Sequence, residues 1–109
     1  MKRLQNILYR AGTTEIVGTT NMDITSVEFD SRKVVIGTLF IAIEGTQVDG
    51  HNFIDKAIDQ GAVAIVCNIL PIELKSNTTY ILVKNSSEAL GYIASNFYDN
   101  PSEKINVVG

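Results

Sequence analysis

Leu4, Ile7 and Leu8 recur at helical spacing, which predicts a short amphipathic helix over residues 2–11, ending near Gly12. Gly18 to Asn21 is a polar turn region. Ser26–Phe29 alternates like a half-buried strand. Gly37 breaks the chain before the apolar strand Leu39–Ile43, and Asp49-Gly50 is a turn signal. Beyond it Ile54, Ala57 and Ile58 share one helical face, and Gly61 stands where the chain leaves that helix. Val63–Cys67 is continuously apolar and mostly β-branched, like a strand covered on both faces. The strand–helix–strand order predicts parallel pairing. Pro71 to Thr79 reads as a loop and Tyr80–Val83 as a further strand. Asn85 is placed to cap the next helix, with Glu88 completing a capping box. Leu90, Ile93, Ala94 and Phe97 make an i, i+3, i+4, i+7 stripe, which Asp99-Asn-Pro101 ends. Ile105–Gly109 reads as the start of another strand.

The alternation predicts an α/β fold, with three helices packed on a mostly parallel or mixed sheet. Val63–Cys67 is its expected central strand, and Ile54, Ile58, Leu90, Ile93 and Phe97 its expected core. A chain of 109 residues has room for one domain with a self-sufficient core. At 45% hydrophobic and 19% charged residues it has the composition of an ordered globular chain. A net charge of -3 argues against a dedicated nucleic-acid binder, although Arg32-Lys33 makes a local basic spot. Cys67 is the only cysteine and reads as a buried small hydrophobe. No disulfide can form within the chain, and no long apolar stretch follows Lys2 and Arg3. Both features fit a cytoplasmic protein that does not enter a membrane. Asn77-Thr-Thr79 and Asn85-Ser-Ser87 then read as turn and cap residues rather than glycosylation sites.

Two loops carry the candidate chemistry. Phe29-Asp-Ser-Arg32 precedes the apolar segment Thr38–Glu44, and Gly45-Thr-Gln-Val-Asp-Gly-His51 follows it. Loops of this kind can hold a phosphate-bearing ligand against backbone N–H groups. Two readings of the first loop stand side by side. Asp30 or Ser31 caps a turn at a strand end, or Ser31 offers a hydroxyl and Arg32 a positive charge to a ligand phosphate. The second loop is too short for a Walker A motif, and no Lys-Ser/Thr follows it. Gln47 could contact a polar ligand edge or stand in solvent. His51 is the only histidine, so a multi-histidine metal site is ruled out, and its place before a helix suits capping or exposure. The carboxylates show no metal-ligand spacing. On residues alone the chain is an α/β domain with an edge suited to anions or nucleotides.

The run from Phe29 to Ile54 resembles the N-terminal domain of the Mur ligases of peptidoglycan synthesis. Ala57 to Cys67 is similar too, and Asn96–Ser102 followed by Val107–Gly109 resembles the passage into that family's ATP-binding domain. The resemblance runs from about Ser26 to Gly109, and the first 25 residues are less distinctive. Asp-Ser-Arg together with Gly-Thr-Gln-Val-Asp-Gly-His is most similar to the members that add the third residue of the stem peptide.

The resemblance implies a three-layer domain with a sheet of four to five strands. It implies residues 1–104 as a domain that binds the uridine diphosphate end of the substrate, and 105–109 as the first strand of a central ATP-binding domain. Carried over by position, Phe29, Ser31 and Arg32 form one contact segment, and Thr46, Gln47 and Val48 the other. Relatives often carry His-Gln-Ala on the second loop, so Thr46 and Val48 depart from that pattern and only backbone contacts would survive the change. The implied partners are UDP-N-acetylmuramoyl-dipeptide and the remaining domains of the same chain. The implied reaction is amide formation through an acyl phosphate. ATP and magnesium serve the full-length enzyme in its later domains, so these 109 residues alone are expected to be inactive. The rival readings are the same domain from the ligase that adds D-alanyl-D-alanine, and a regulatory or interaction module sharing the fold.

Overall fold

The computed structural model describes residues 2–43 and 50–98. Five strands form one sheet in the order β2-β7-β6-β5-β4: β2 is Thr13–Val17, β4 Ser26–Glu28, β5 Thr38–Ile41, β6 Ala64–Cys67 and β7 Thr79–Val83. The pairs β4–β5, β5–β6 and β6–β7 are parallel, and only β2 runs antiparallel, against β7. The sheet is therefore mixed, and β6 is its middle strand, as the apolar run Val63–Cys67 predicts. A separate two-stranded ribbon pairs β1, Lys2–Arg3, with β3, Asp23–Ile24.

Alternation along the strands builds two cores. Leu39, Ile41, Ala64, Val66, Ile81 and Val83 pack with Leu4, Ile7, Ala89 and Ile93. Phe40, Ala42, Ile65, Cys67 and Tyr80 pack with Val34, Ile54 and Ala57. Successive strand residues point to opposite faces, so each buried strand feeds both cores. The first core is closed by α1, Leu4–Ile7, and α3, Ser86–Phe97, and the second by α2, Ile54–Gln60. The result is three layers. Ile54 and Ile93 are buried, while Ile58, Leu90 and Phe97 are half-buried at the rims of the same cores. Burial pushes the Cys67 thiol up to about 11, as befits a core residue. Tyr80 is buried with its hydroxyl satisfied, accepting from the Lys75 N–H at 2.9 Å.

Local chemistry sets the ends of the elements. Asn85 Oδ1 accepts from the Glu88 N–H at 3.0 Å and starts α3. Gly61 ends α2 at φ 122°, and its N–H donates to the Ala57 and Ile58 carbonyls. A Cβ at Gly61 would lie 2.6 Å from the Ile36 Cα, so the chain can pass there only as glycine. Gly61 in turn accepts from the Gly37 N–H at 3.0 Å, which joins the entries of β5 and β6.

The helix predicted over residues 2–11 is much shorter. Lys2 and Arg3 are extended in the ribbon, where Arg3 meets Asp23 at 3.2 Å. The helix is only Leu4–Ile7, and Arg10 at φ 66° and Gly12 at φ 76° turn the chain away. Asn96 Nδ2 donates to the Ile7 and Tyr9 carbonyls, taking the place of further helical hydrogen bonds. Strand β2 is not anticipated by the hydrophobic pattern, because Thr14, Glu15 and Ile16 are exposed on a sheet edge. The predicted helix end at Asp99-Asn-Pro101, the strand at 105–109 and the division after residue 104 lie outside the described residues. Among the described residues no helix is long and apolar enough to cross a membrane.

Ile93 has no exposed surface and sits among Leu4, Ile7 and the strands. Ile93→Ala is expected to cost on the order of 2–5 kcal/mol. A urea midpoint equal to that of the unsubstituted chain would show the α3 face to be wrongly placed.

Candidate functional site

The site is assembled by the register of two parallel strands. Ser26, Val27 and Glu28 of β4 stand opposite Thr38, Leu39 and Phe40 of β5. The Ser26 and Thr38 hydroxyls share a 2.7 Å hydrogen bond at the first of these pairs, and Thr38 Oγ1 also accepts from the Val35 N–H. Because the strands are parallel and in step, both end at the same edge of the sheet, about 4.8 Å apart. Phe29 to Arg32 leaves β4 at that edge. β5 ends there at Ile41, shortly before residues 44–49.

Phe29 lies just past β4 and is 60% exposed, a large apolar ring left in water. Ser31, Arg32 and Lys33 form a short 3-10 turn. Ser31 is buried at 6% exposure. The Arg32 side chain is 80% exposed and lies back along Asp30, with Nη2 2.8 Å from Oδ2 and Nε 3.0 Å from Oδ1. The Arg32 N–H donates to the same Oδ1 at 3.0 Å. Asp30 is therefore the cap of the turn, and the capping reading of this loop holds. The ligand reading is compatible with it, since the bidentate pair occupies Nε and Nη2 and leaves Nη1 outside it. Any anion bound by Arg32 would meet a charge already compensated by Asp30.

A second side chain holds the turn from behind. Gln60, the last residue of α2, donates from Nε2 to the Ser31 carbonyl at 2.5 Å and to the Val34 carbonyl at 3.3 Å. Nothing in the sequence spacing pairs Gln60 with a loop 29 residues earlier, so sequence reasoning misses it. Thr46, Gln47 and Val48 lie outside the described residues. His51 falls in a 3-10 turn, Gly50–Phe53, that leads into α2. No group of three His, Cys, Asp or Glu residues that could hold a metal ion occurs among the described residues.

The family model described as "Mur ligase family, catalytic domain" matches residues 23–98, which include β4, the 3-10 turn and α2. The chain belongs to the Mur ligase family. A Mur ligase relative from Cytophaga hutchinsonii, named UDP-N-acetylmuramoyl-L-alanyl-D-glutamate--2,6-diaminopimelate ligase, is 48% identical over 108 residues. That match covers 98% of this chain and 22% of the relative. Among solved structures, the MurF ligase of Thermotoga maritima in complex with ADP is similar at TM-score 0.57 and 31% identity, over 69% of this chain and 17% of that one. The UDP-N-acetylmuramoylalanyl-D-glutamyl-2,6-diaminopimelate--D-alanyl-D-alanyl ligase of Acinetobacter baumannii is similar at TM-score 0.66, over 85% of this chain and 20% of that one. At 21% identity the second likeness is one of fold. The chain spans about a fifth of the length of the Mur ligases it matches.

The Asp30–Arg32 pair has a testable electrostatic signature. Hydrogen bonds from the Arg32 side chain and backbone hold the Asp30 carboxyl at about 2, below its ordinary 3.8. A lowered folded value means that the pair's stabilising contribution is fully present above 3.8 and is lost as the pH falls through about 2. Following the Asp30 carboxyl carbon by NMR should give a midpoint near that lower value, and Arg32→Ala should return it toward 3.8. An unsubstituted chain that already titrates at 3.8 would mean the pair does not form in solution.

Proposed function

We propose that this chain holds the uridine diphosphate end of UDP-N-acetylmuramoyl-L-alanyl-D-glutamate for an ATP-dependent amide ligase of peptidoglycan synthesis. The observation that carries the reading is the parallel register of β4 and β5. It delivers Phe29–Arg32 and the chain leading to residues 44–49 to one edge of the sheet. In open α/β sheets, ligands bind outside the carboxyl ends of the strands. Phe29 offers a face on which a uracil ring can stack. The Ser31 hydroxyl and the Arg32 guanidinium supply donors for the ribose or a phosphate. Thr46, Gln47 and Val48 complete the site in this reading, chiefly through backbone groups.

The ligase so completed adds the third residue of the stem peptide. The substrate carboxylate takes a phosphoryl group from ATP to become an acyl phosphate. The amine of the incoming amino acid attacks the acyl carbon, phosphate leaves, and the nitrogen gives up a proton. The part of these residues is to bind and orient the far end of the substrate, and binding energy collected there keeps the reacting carboxylate in place. ATP and magnesium belong to later domains of a longer chain, which would begin at about residue 105. The setting is the cytoplasm, where cell-wall precursors feed cell growth and division.

Identity of 48% to a 2,6-diaminopimelate ligase, over nearly the whole chain, favours diaminopimelate over lysine as the amino acid added. The D-alanyl-D-alanine-adding ligases provide the second reading, because the solved structures cited above are of that kind. Their identities of 21% and 31% make it the weaker of the two.

Chemical-shift mapping with uridine diphosphate tests the site. Perturbations should cluster on residues 29–33 and 44–51, and weak binding is expected from a site that holds one end of its substrate. Ser31→Ala should weaken binding about two- to tenfold, the cost of one hydrogen bond. Shifts confined to the opposite edge of the sheet would sink the assignment and favour the interaction-module reading.

A further inference from the structure

We infer that Gln60 is a positioning residue for the uridine diphosphate site, fixing the Ser31–Arg32 peptide from behind without touching the ligand. The inference rests on the proposed function, and it concerns a residue that neither the sequence pattern nor the ligand chemistry singles out.

The peptide joining Ser31 to Arg32 is held at both ends. Its carbonyl accepts from Gln60 Nε2 at 2.5 Å and from the Val34 N–H at 3.4 Å, so both oxygen lone pairs are engaged. Its N–H donates to Asp30 Oδ1 at 3.0 Å. A peptide plane gripped at both ends cannot rotate, and the residues on either side of it are the two candidate ligand donors. The amide orientation of Gln60 follows from chemistry, since only the NH2 end can face two carbonyl oxygens without repulsion.

Gln60 closes a mechanical loop. Residues 50–53 end the second candidate ligand loop and lead directly into α2 at Ile54. Six residues after Ile54 the same helix presents Gln60 to the first loop. At about 1.5 Å per residue, α2 is a rigid strut of roughly 10 Å between the Gly50–Phe53 turn and the Ser31–Lys33 turn. Ile54 and Ala57 anchor that strut on the core. The far end is pinned by Gly61, whose carbonyl accepts from Gly37 and whose missing side chain lets the Ile36 backbone pass. The Ser31–Lys33 turn is therefore preorganised before any ligand arrives.

Gln60→Met tests this, because it keeps the length and bulk of the side chain and removes both donors. Gln60→Asn serves as a second variant, too short to span the gap. Three quantities are read on the 109-residue chain: amide exchange at Lys33 and Val34 without ligand, the dissociation constant for uridine diphosphate by shift titration, and the urea midpoint. The expected result is faster exchange at Lys33 and Val34, with β6 amides unchanged. Uridine diphosphate should bind about two- to tenfold more weakly, with the loss larger than any fall in the urea midpoint explains. Unchanged affinity in both variants, or a loss that only tracks global stability, overturns the positioning role. Failure of the site reading looks different. It appears in the unsubstituted chain, as ligand shifts that miss residues 29–33, and it takes this inference down as well.

Discussion

A hydroxyl pair holds the arrangement together. Thr38 is wholly buried, and its Oγ1 meets Ser26 Oγ across the β4–β5 ladder while accepting from the Val35 N–H. A buried hydroxyl without partners would cost stability, so the contact resists any change of register. A slip of one residue would strand those groups and turn Leu39 and Ile41 out of their core. It would also move the end of β4 relative to the end of β5, and the two candidate ligand loops would no longer leave the sheet together. The glycine contact between residues 37 and 61 fixes the start of β5 against that of β6.

The parts of the fold written as local pattern were legible in the sequence. Val63–Cys67 announces a central strand because both faces of β6 are buried, so no polar residue interrupts the run. Gly61 and Asn85 mark helix ends through their own backbone and side-chain chemistry. What was not legible depends on distant partners. Residues 2–11 carry helical spacing, yet Lys2 and Arg3 are drawn into pairing with Asp23 and Ile24. Thr13–Val17 is four-fifths β-branched, a signal that could have marked the strand. The exposure of Thr14, Glu15 and Ile16 in a row hid that signal from a search for buried stripes. The candidate site divides in the same way. The Asp30 cap is a contact between residues two apart, whereas the hold of Gln60 on Ser31 exists only once α2 has docked.

The relation to the solved Mur ligases separates architecture from specificity. A TM-score of 0.66 at 21% identity means that one three-layer frame tolerates extensive replacement of side chains. The frame needs alternating apolar strands and two covered faces, and many sequences meet those needs. Under the proposed function, discrimination among substrates falls to the few residues that leave the sheet at its edge.

The hydrogen bonds from Asn96 to the carbonyls of Ile7 and Tyr9 span 89 and 87 residues of chain. Strand β2 likewise waits for β7, which follows it by more than sixty residues. The first two dozen residues thus have few local partners to bind as they are synthesised. The parallel unit from β4 to β6 can gather first, but its outer face stays uncovered until α3 arrives. Completion of this fold therefore waits for the emergence of α3 rather than following from its first strand. During that interval Leu4, Ile7 and Ile24, fully buried in the finished fold, are exposed to other chains.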